Sequence, residues 1–254
     1  MSSNPKTFKY NITAGISNFT IDIVIPFRDQ ANKVCRLIEN LYQKVTKPKI
    51  RLHLIDDGSK NKEFVNLLPK LPNLITHQFS KPKGFGAAVN YGIKCAQSPL
   101  VCIMHSDVIV TEPNFLQNLY NDFLKIKDQR VATISSVTDN PMSEKLFMIK
   151  KNGSEDVPPQ YYTDVYSPFI CTLVHKQIFE LCGGLAEYPL CWYEGEIFGS
   201  KIKKINYRQA YSLRSFVQHE GGATIRHLLT ENPSMKKILK DNYEKFKLFN
   251  TTGG

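Results

Sequence analysis

The chain has 254 residues, with 33 Lys or Arg against 23 Asp or Glu, so its formal net charge is +10. Hydrophobic residues make up 42% and charged residues 22%, which is ordinary globular usage and excludes a disordered, collagenous or fibrous chain. The length suits one large domain, and no apolar run approaches the length of a membrane span.

The positive charge is compatible with nucleic acid, a membrane surface or a phosphorylated small molecule as a partner. The lysines are spread along the chain and no recognition-helix or zinc-finger pattern accompanies them, so a solvated basic surface is favoured and no nucleic-acid partner is expected. Residues 1–18 are polar and lack the basic start and apolar core of a signal peptide, which predicts a cytoplasmic location. The six cysteines form no C-x-x-C pair and are expected to be reduced.

In the first half of the chain, short apolar runs alternate with segments whose apolar residues recur at helical spacing. Strands are predicted at residues 21–27, 50–55, 74–79, 100–104 and 131–137, and the first is expected to stop near Pro26, which cannot donate to a sheet. A helix follows the first strand because Val34, Leu37, Ile38, Leu41 and Tyr42 share one stripe. Residues 87–96 form the next predicted helix, and Thr111 is expected to cap a helix that includes Pro113 in its first turn.

The second half has weaker signals. Residues 139–164 are polar and contain Pro158 and Pro159, which predicts a loop or an excursion from the domain. An apolar run then covers 169–174, a helix is predicted at 196–204, a strand at 207–217 and a Lys-rich amphipathic helix at 235–249. We expect an N-terminal extension at 1–18, one domain at 19–226 and a C-terminal helical tail at 227–254 packed on that domain.

Strands that alternate with helices predict an α/β fold in which helices cover both faces of a mostly parallel sheet. In such sheets, ligands bind beyond the carboxyl ends of the strands. Asp56, Asp57 and Asp107 fall at those ends, so a polar ligand site is predicted there. A carboxylate at Asp107 needs solvent, a partner or a cation, although it can also cap the following turn.

Four motifs in order carry a resemblance to a known family: Ile23-Val-Ile-Pro-Phe27, Asp56-Asp-Gly-Ser59, Gly84-Phe-Gly-Ala-Ala-Val-Asn90-Tyr-Gly92 and His105-Ser-Asp107. The later segments Leu173-Val-His-Lys176, Gly183-Gly184, Trp192-Tyr-Glu-Gly-Glu196 and His219-Glu-Gly-Gly-Ala-Thr224 continue it. Together they resemble a family 2 glycosyltransferase of the GT-A fold, a Rossmann-like nucleotide-diphospho-sugar transferase. The Gly84–Asn90 pattern is also similar to that of rhamnosyltransferase-like members.

The resemblance implies a metal site that holds Mn²⁺ or Mg²⁺. Asp107 matches the second Asp of the family's D-x-D motif, and His105 replaces the first, which is a departure from the pattern. His219 matches a His that joins the Asp in binding the metal. A neutral imidazole suits Mn²⁺, whereas Mg²⁺ prefers oxygen ligands.

The resemblance also implies a nucleotide site. Asp57 is expected to accept an N–H from the base while Asp56 stabilises its own turn, and a plain Asp-Asp-Gly turn is the alternative. Further nucleotide contacts are expected from Pro26, Phe27, Arg28, Lys83, Gly84 and Ser106. Among these, Lys83 and Gly84 belong to a loop that offers a cation and backbone N–H groups to phosphate.

Glu194 and Glu196 are the candidate catalytic bases, because the Asp of the family's Glu-Asp pair aligns with Gly195. We favour Glu196, and either acid can instead cap the helix N-terminus. The implied reaction is metal-dependent, inverting transfer of a sugar from a nucleoside diphosphate to a glycan or another hydroxyl-bearing acceptor.

Other functions remain open at this point. A nucleotidyltransferase would share the metal carboxylates and the Gly-rich loop, and a non-catalytic protein that binds nucleic acid or carbohydrate is the second alternative. The Lys-rich C-terminal residues leave open a peripheral membrane contact, although a solvated helix face is favoured.

Overall fold

The computed structural model describes residues 19–61, 68, 71–126, 130–139, 160–163, 166–221, 229–230, 232 and 234–252. The N-terminal extension expected at 1–18 lies outside the described residues, as do residues 140–159 of the polar segment and residues 222–224 of the His219 motif. The side chains of residues 160–163 are also outside the description.

The described elements alternate through the first half of the chain and become less regular after it. In chain order they are β1 (Thr20–Phe27), α1 (Ala31–Lys44), β2 (Lys49–Asp56), β3 (Leu74–Gln78), α2 (Phe85–Cys95), β4 (Leu100–Met104), β5 (Val108–Ile109), α3 (Phe115–Lys125), β6 (Val131–Thr138), β7 (Gln160–Thr163), β8 (Cys171–His175), α4 (Lys176–Leu181), α5 (Glu194–Lys204), β9 (Arg208–His219) and α6 (Met235–Thr251).

The strands form one mixed, mostly parallel sheet in the order β3-β2-β1-β4-β8-β6-β9-β5, and β7 also pairs with β9. Strands β3, β2, β1 and β4 are parallel neighbours, and β6 is parallel to β9. Strand β8 runs antiparallel between β4 and β6. The predicted α/β architecture is confirmed, although alternation along the sequence gave no sign that β8 runs the other way.

Helices cover both faces of the sheet because each presents one apolar stripe. Val34, Leu37 and Ile38 of α1 pack in one cluster with residues of α3, while α2, α4 and α5 contribute to a second cluster. Every residue of β4 is buried, as expected for a central strand covered on two sides.

Strand β1 continues through Pro26 to Phe27, one residue beyond the proline at which it was expected to stop. The proline is tolerated because β4 pairs with β1 only from Asp22 to Val24, whereas β2 pairs along the whole strand. Near Pro26, β1 therefore has one neighbour, and the missing N–H breaks no ladder with β4.

Several boundaries differ from the prediction. Helix α3 begins at Phe115 with Asn114 at its N-cap, because the segment containing Pro113 and Asn114 forms a turn, so Thr111 is not the cap. Helix α5 begins at Glu194, two residues before the predicted start. The short elements β5, β7 and α4 were not predicted, since two to six residues are too few to show a period.

Helix α6 is present at Met235–Thr251, close to the predicted range. Within the described ranges, no helix combines the length and apolar character needed to cross a bilayer.

Candidate active site

One cavity of about 470 Å³ opens at the carboxyl ends of the central strands. All the predicted site residues except Lys83 and Gly84 line it: Pro26, Phe27, Arg28, Asp57, Ser106, Asp107, Glu194, Glu196 and His219. The lining also includes the segment from Tyr166 to Ile170 and the segment from Leu190 to Tyr193. The motifs that are distant in sequence therefore share one concave site.

Sheet register brings the two expected metal ligands together. Strand β9 ends at His219, which pairs directly with Val108 at the start of β5. Asp107 precedes Val108, and its carbonyl accepts the backbone N–H of Glu220 at 3.2 Å. A two-residue antiparallel pairing thus places His219, at the end of β9, beside the turn that follows β4.

Three side chains converge at this point. His219 Nε2 lies 3.1 Å from Asp107 Oδ1 and 3.2 Å from His105 Nδ1. One ligand atom from each of His105, Asp107 and His219 falls within 4.8 Å of the other two. The backbone N–H of His219 donates to Asp139 Oδ1 at 2.8 Å, which fixes the end of β9. Two imidazoles and one carboxylate are thus held close enough to share one cation.

The electrostatics of this cluster favour the unprotonated forms of Asp107 and His105. Burial raises the pKa of Asp107, but the hydrogen bond from His219 and the nearby His105 outweigh it and hold the pKa well below its usual range. Burial, with a further contribution from His219, lowers the pKa of His105 to about 4. At neutral pH the cluster therefore offers a carboxylate oxygen and a neutral imidazole nitrogen, as a metal ligand must.

The two neighbouring aspartates at the end of β2 have different partners. Asp56 Oδ1 accepts the backbone N–H of Ser59 at 2.8 Å and its hydroxyl at 2.6 Å, so Asp56 stabilises its turn as expected. Asp57 lines the cavity, and its carboxylate accepts the N–H groups of Lys83 at 2.6 Å and Gly84 at 3.0 Å. Burial raises the pKa of Asp57, and these hydrogen bonds lower it in part.

The loop before α2 is therefore held by Asp57. The N–H groups of Lys83 and Gly84 are directed at that carboxylate, and the Lys83 ammonium lies 4.6 Å from the centroid of the Phe79 ring. Neither residue belongs to the cavity lining. In this arrangement the loop connects to the site through Asp57 and through Phe85, which follows it and lines the cavity.

The two candidate bases occupy the first turn of α5 in different surroundings. Glu194 is 5% exposed, and burial raises its pKa to about 8. Hydrogen bonds that its carboxylate accepts from the backbone at Glu194 and Trp192 lower the pKa only in part. Within the described part of the chain, no group donates to Glu194 Oε1. Glu196 also lines the cavity but is only half-buried.

Gly195 lies between them where backbone packing excludes a side chain. A Cβ built at Gly195 would come 2.1 Å from the carbonyl oxygen of Ser167, far inside van der Waals contact. At the position that aligns with the family's Asp, the backbone of α5 thus lies too close to the backbone of Ser167 to admit a side chain.

Sequence reasoning missed three contributors to the site. On the sequence alone, His105 is a departure from a motif, although its residue type and its spacing from Asp107 fit a metal-ligating residue. Trp192 is 47% exposed in the cavity lining, and its position two residues before Glu194 in the sequence was the available sign of a site residue. Residues 166–170 also line the cavity and had no motif to mark them.

Comparisons with known proteins identify the family of this chain. The family model described as Glycosyl transferase family 2 matches residues 22–182. The O-antigen biosynthesis protein RfbC of Myxococcus xanthus is 19% identical over 225 residues, which cover 81% of this chain and 18% of that protein. The chain thus spans less than a fifth of that relative's length.

Two solved structures share the fold. The mannosyltransferase PcManGT from Pyrobaculum calidifontis, in complex with GDP-Man and Mn²⁺, superposes with a TM-score of 0.61 at 16% identity, over 85% of this chain and 59% of that one. GalNAc-T7 with UDP, GalNAc and Mn²⁺ superposes with a TM-score of 0.65 at 14% identity, over 84% of this chain and 44% of that one. The family match and these superpositions establish that the chain belongs to glycosyl transferase family 2 and has the GT-A fold.

Proposed function

We propose that this protein transfers a sugar from a nucleoside-diphosphate sugar to an acceptor hydroxyl, in a reaction that depends on a divalent cation and inverts the anomeric centre. The observation that carries the proposal is the convergence of His105, Asp107 and His219 in the same cavity as Glu194 and Glu196. Metal ligands and a candidate base that share one cavity are the two parts this chemistry needs.

The residues present fit a divalent cation. His105, Asp107 and His219 supply two nitrogens and one oxygen, and this mixed set favours Mn²⁺ over Mg²⁺, which prefers oxygen ligands. A bound cation would neutralise negative charge on the diphosphate as it leaves. The two structural relatives contain Mn²⁺ together with nucleotide or nucleotide sugar, which is compatible with this choice.

The donor is proposed to lie along the ends of β1 and β4. Pro26 and Phe27 form an apolar wall there, and Arg28 lies near enough to Asp57 to lower its pKa. The buried Nε of Arg28 has no partner among the described residues, so the guanidinium can turn to a diphosphate oxygen. Ser106 lies between two of the metal-cluster residues and is proposed to contact the nucleotide.

Asp57 is proposed to accept an N–H from the nucleobase. Its carboxylate already accepts two backbone N–H groups, but an ionised carboxylate has about four acceptor positions. The contacts from Lys83 and Gly84 would then orient it towards the base and link that recognition to the loop before α2. The rhamnosyltransferase-like specificity indicated by residues 84–90 stays a prediction.

Glu196 is proposed as the base. The acceptor oxygen would attack the anomeric carbon, the bond from that carbon to the diphosphate oxygen would break, and the acceptor's proton would pass to Glu196. This residue lines the cavity and is half-buried, so an acceptor hydroxyl can reach it. Glu194, with its pKa raised to about 8, is mostly protonated at pH 7 and is the weaker candidate.

Metal dependence is the direct test of this function. With a panel of nucleoside-diphosphate sugars, we expect Mn²⁺ to support transfer or slow hydrolysis, and EDTA to abolish both. Asp107→Asn should also remove Mn²⁺-dependent thermal stabilisation by the matching nucleoside diphosphate, because it removes the anionic ligand. Asp241→Asn, at an exposed position of α6, is the matched control.

Robust transfer that is indifferent to EDTA would contradict the metal assignment. Release of pyrophosphate from nucleoside triphosphates, without reaction of any nucleotide sugar, would identify a nucleotidyltransferase instead. Binding of nucleotide sugars with no turnover would identify a non-catalytic descendant of the fold.

A further inference from the structure

The segment Pro189–Tyr193, here called the strap, immediately precedes α5, and its residues 190–193 line the cavity. Its backbone is strained. Leu190, Trp192 and Tyr193 have φ angles of 68°, 93° and 70°. Non-glycine residues in this left-handed region cost about 1–3 kcal/mol each and persist only when their surroundings hold them. The strap must therefore be fixed by contacts outside itself.

One side of the strap is held by α6. Asn242 is 1% exposed, and its Nδ2 donates to the carbonyl oxygens of Pro189 at 2.8 Å and Cys191 at 3.2 Å. The ring of Phe246 stacks on Tyr193 with centroids 4.5 Å apart and planes 10° from parallel. Both contacts come from a helix beyond residues 22–182, the part of the chain that matches the family model.

The other side of the strap is held by the start of α2. The N–H of Phe85 donates to the carbonyl of Leu190 at 2.7 Å. A Cβ at Gly84 would come 2.1 Å from the carbonyl oxygen of Tyr188, so this close approach requires glycine there. The strap is thus fixed between two helices, which donate to the carbonyls of Pro189, Leu190 and Cys191.

The strap presents Trp192 to the cavity. This side chain is 47% exposed, while the residue that follows the strap, Glu194, is buried. A large aromatic ring left half in water at a cavity wall offers apolar surface that a ligand can cover. The metal cluster and the Pro26–Arg28 wall are proposed to hold the donor, and Trp192 and Glu196 are further members of the same cavity lining.

A pyranose fits such a wall. One face of the sugar ring carries C–H groups that can stack on an indole. The rim of the ring carries hydroxyls that can donate hydrogen bonds to a carboxylate. We propose that Trp192 is the stacking surface for a pyranose acceptor, and that Asn242 of α6 is a positioning residue that holds the strap in place for it. The assignment of this pyranose as the acceptor rests on the proposed function.

The first test uses the fact that the chain contains a single tryptophan, so intrinsic fluorescence reports on Trp192 alone. The wild-type protein is titrated with methyl glycopyranosides of the gluco, galacto, manno and rhamno series, with Mn²⁺ and with UDP, GDP or dTDP. At least one glycoside should shift the emission and protect it from acrylamide quenching. Emission that no glycoside changes in any of these mixtures would overturn the proposal.

The second test examines Trp192 in the reaction. With the glycoside that changes fluorescence most as acceptor, Trp192→Ala should raise the acceptor KM by about tenfold. Leu248→Ala, which removes another exposed apolar side chain at a site 62% exposed on α6, is the matched control. A comparable weakening of nucleoside diphosphate binding by Trp192→Ala, measured by calorimetry, would place the ring on the donor side and overturn the proposal.

The third test examines Asn242. Asn242→Asp replaces the amide donor with a carboxylate facing two carbonyls, so the strap should loosen, acrylamide quenching of Trp192 should increase and glycoside affinity should fall by about tenfold. Asn250→Asp makes the same change at an exposed position of α6 and should leave both measurements at wild-type values. Unchanged quenching in folded Asn242→Asp would remove the positioning role.

These outcomes separate the two proposals. Glycoside-dependent fluorescence does not require turnover, so it can succeed in a protein that transfers no sugar, and the pyranose site would then stand without the transferase. Transfer activity without any glycoside-dependent change in Trp192 fluorescence would leave the proposed function intact and would rule out Trp192 as the stacking surface.

Discussion

Glu194 and Glu196 are two residues apart, yet they differ in burial, and we propose different roles for them. Glu196→Gln should lower kcat by at least about 100-fold, because general base catalysis contributes that much or more, while nucleoside diphosphate binding stays near the wild-type value. Glu194→Gln should have the smaller effect on kcat at pH 7, since this acid is already mostly protonated. Steady-state kinetics and calorimetry on both variants provide the comparison.

Glu244→Gln is the control for these substitutions, because Glu244 is exposed on α6 and forms an ion pair with Lys247 one turn away. Equal and near-normal turnover in Glu194→Gln and Glu196→Gln would remove both candidates. A larger loss in Glu194→Gln would exchange their roles.

Burial of Glu194 also predicts a pH dependence of stability. Its pKa is raised to about 8 in the folded state from an ordinary value of 4.5, so the folded state keeps its proton where the unfolded state has lost it. The free energy of unfolding should therefore fall as pH rises between these two values, and the loss should level off above about pH 8. Glu194→Gln cannot ionise and should lack this component.

Urea unfolding at pH 5, 6.5 and 8 measures the difference between wild type and Glu194→Gln. We expect the Gln variant to gain relative stability with rising pH, by an amount on the order of a few kcal/mol at most. A difference that stays constant across these pH values would show that Glu194 ionises normally in the folded protein.

At the scale of elements, apolar runs were enough to predict β1 to β4, β6 and α1, because each buries a regular pattern of side chains. The ends of these strands then indicated where Asp57 and Asp107 would lie. Neither the antiparallel direction of β8 nor the two-residue strand β5 could be recognised from the local sequence. They depend on pairing between distant segments, and β5 is what places His219 beside Asp107.

The first turn of α5 shows the limit of motif alignment. By the motif resemblance, an Asp at position 195 would restore the family pattern. The carbonyl of Ser167, however, occupies the space that any side chain at this position would need. The local packing of α5 against the 166–170 segment decided this position, and no sequence period reveals such a contact.

Substitution of Gly195 tests this packing. Gly195→Asp should destabilise the protein and fail to increase turnover, because Ser167 must move to admit a Cβ that would otherwise lie 2.1 Å from its carbonyl oxygen. Gly195→Ala should cost a similar free energy, about 1–3 kcal/mol, since the Cβ itself is the obstacle. Thermal unfolding of both variants measures the cost.

Gly183→Ala is the comparison for Gly195, because a Cβ at Gly183 meets nothing within 4 Å and only its φ of 70° is unfavourable. Its cost should be about 1–2 kcal/mol, the ordinary penalty of a left-handed residue. A Gly195→Asp protein that is as stable as the wild type and turns over faster would show that the segment yields and that the family's base position is functional here.

Across the whole molecule, the candidate site is assembled at one end of the sheet, while a separate polar network holds the other end. Asp22, near the start of β1, is fully buried and joins three parts of the chain. Its carboxylate accepts from His53 Nε2 at 2.9 Å and Arg51 Nη1 at 3.1 Å on β2, and from the N–H groups of Gln97 at 2.9 Å and Ser98 at 2.6 Å before β4.

Asp22→Asn should therefore destabilise the whole fold while sparing chemistry at the far end of β1. The substitution leaves the His53 and Arg51 donors facing an uncharged amide, and we expect a loss of about 3 kcal/mol at pH 7. Burial raises the pKa of Asp22, but the hydrogen bonds from His53 and Ser98 outweigh it and hold the pKa well below its usual range.

The sign of the acid dependence follows from that lowered pKa. The stabilisation by Asp22 is complete above the unfolded value near pH 4 and is lost as pH falls through the folded value. Urea midpoints of wild type and Asp22→Asn should differ most at neutral pH, and the difference should shrink progressively as the pH falls below about 4. The kcat of the folded variant should stay within about twofold of wild type, because Asp22 does not line the cavity. Equal midpoints at pH 7 would show that the network adds no net stability, and a large fall in kcat would show that the two ends of the sheet are coupled.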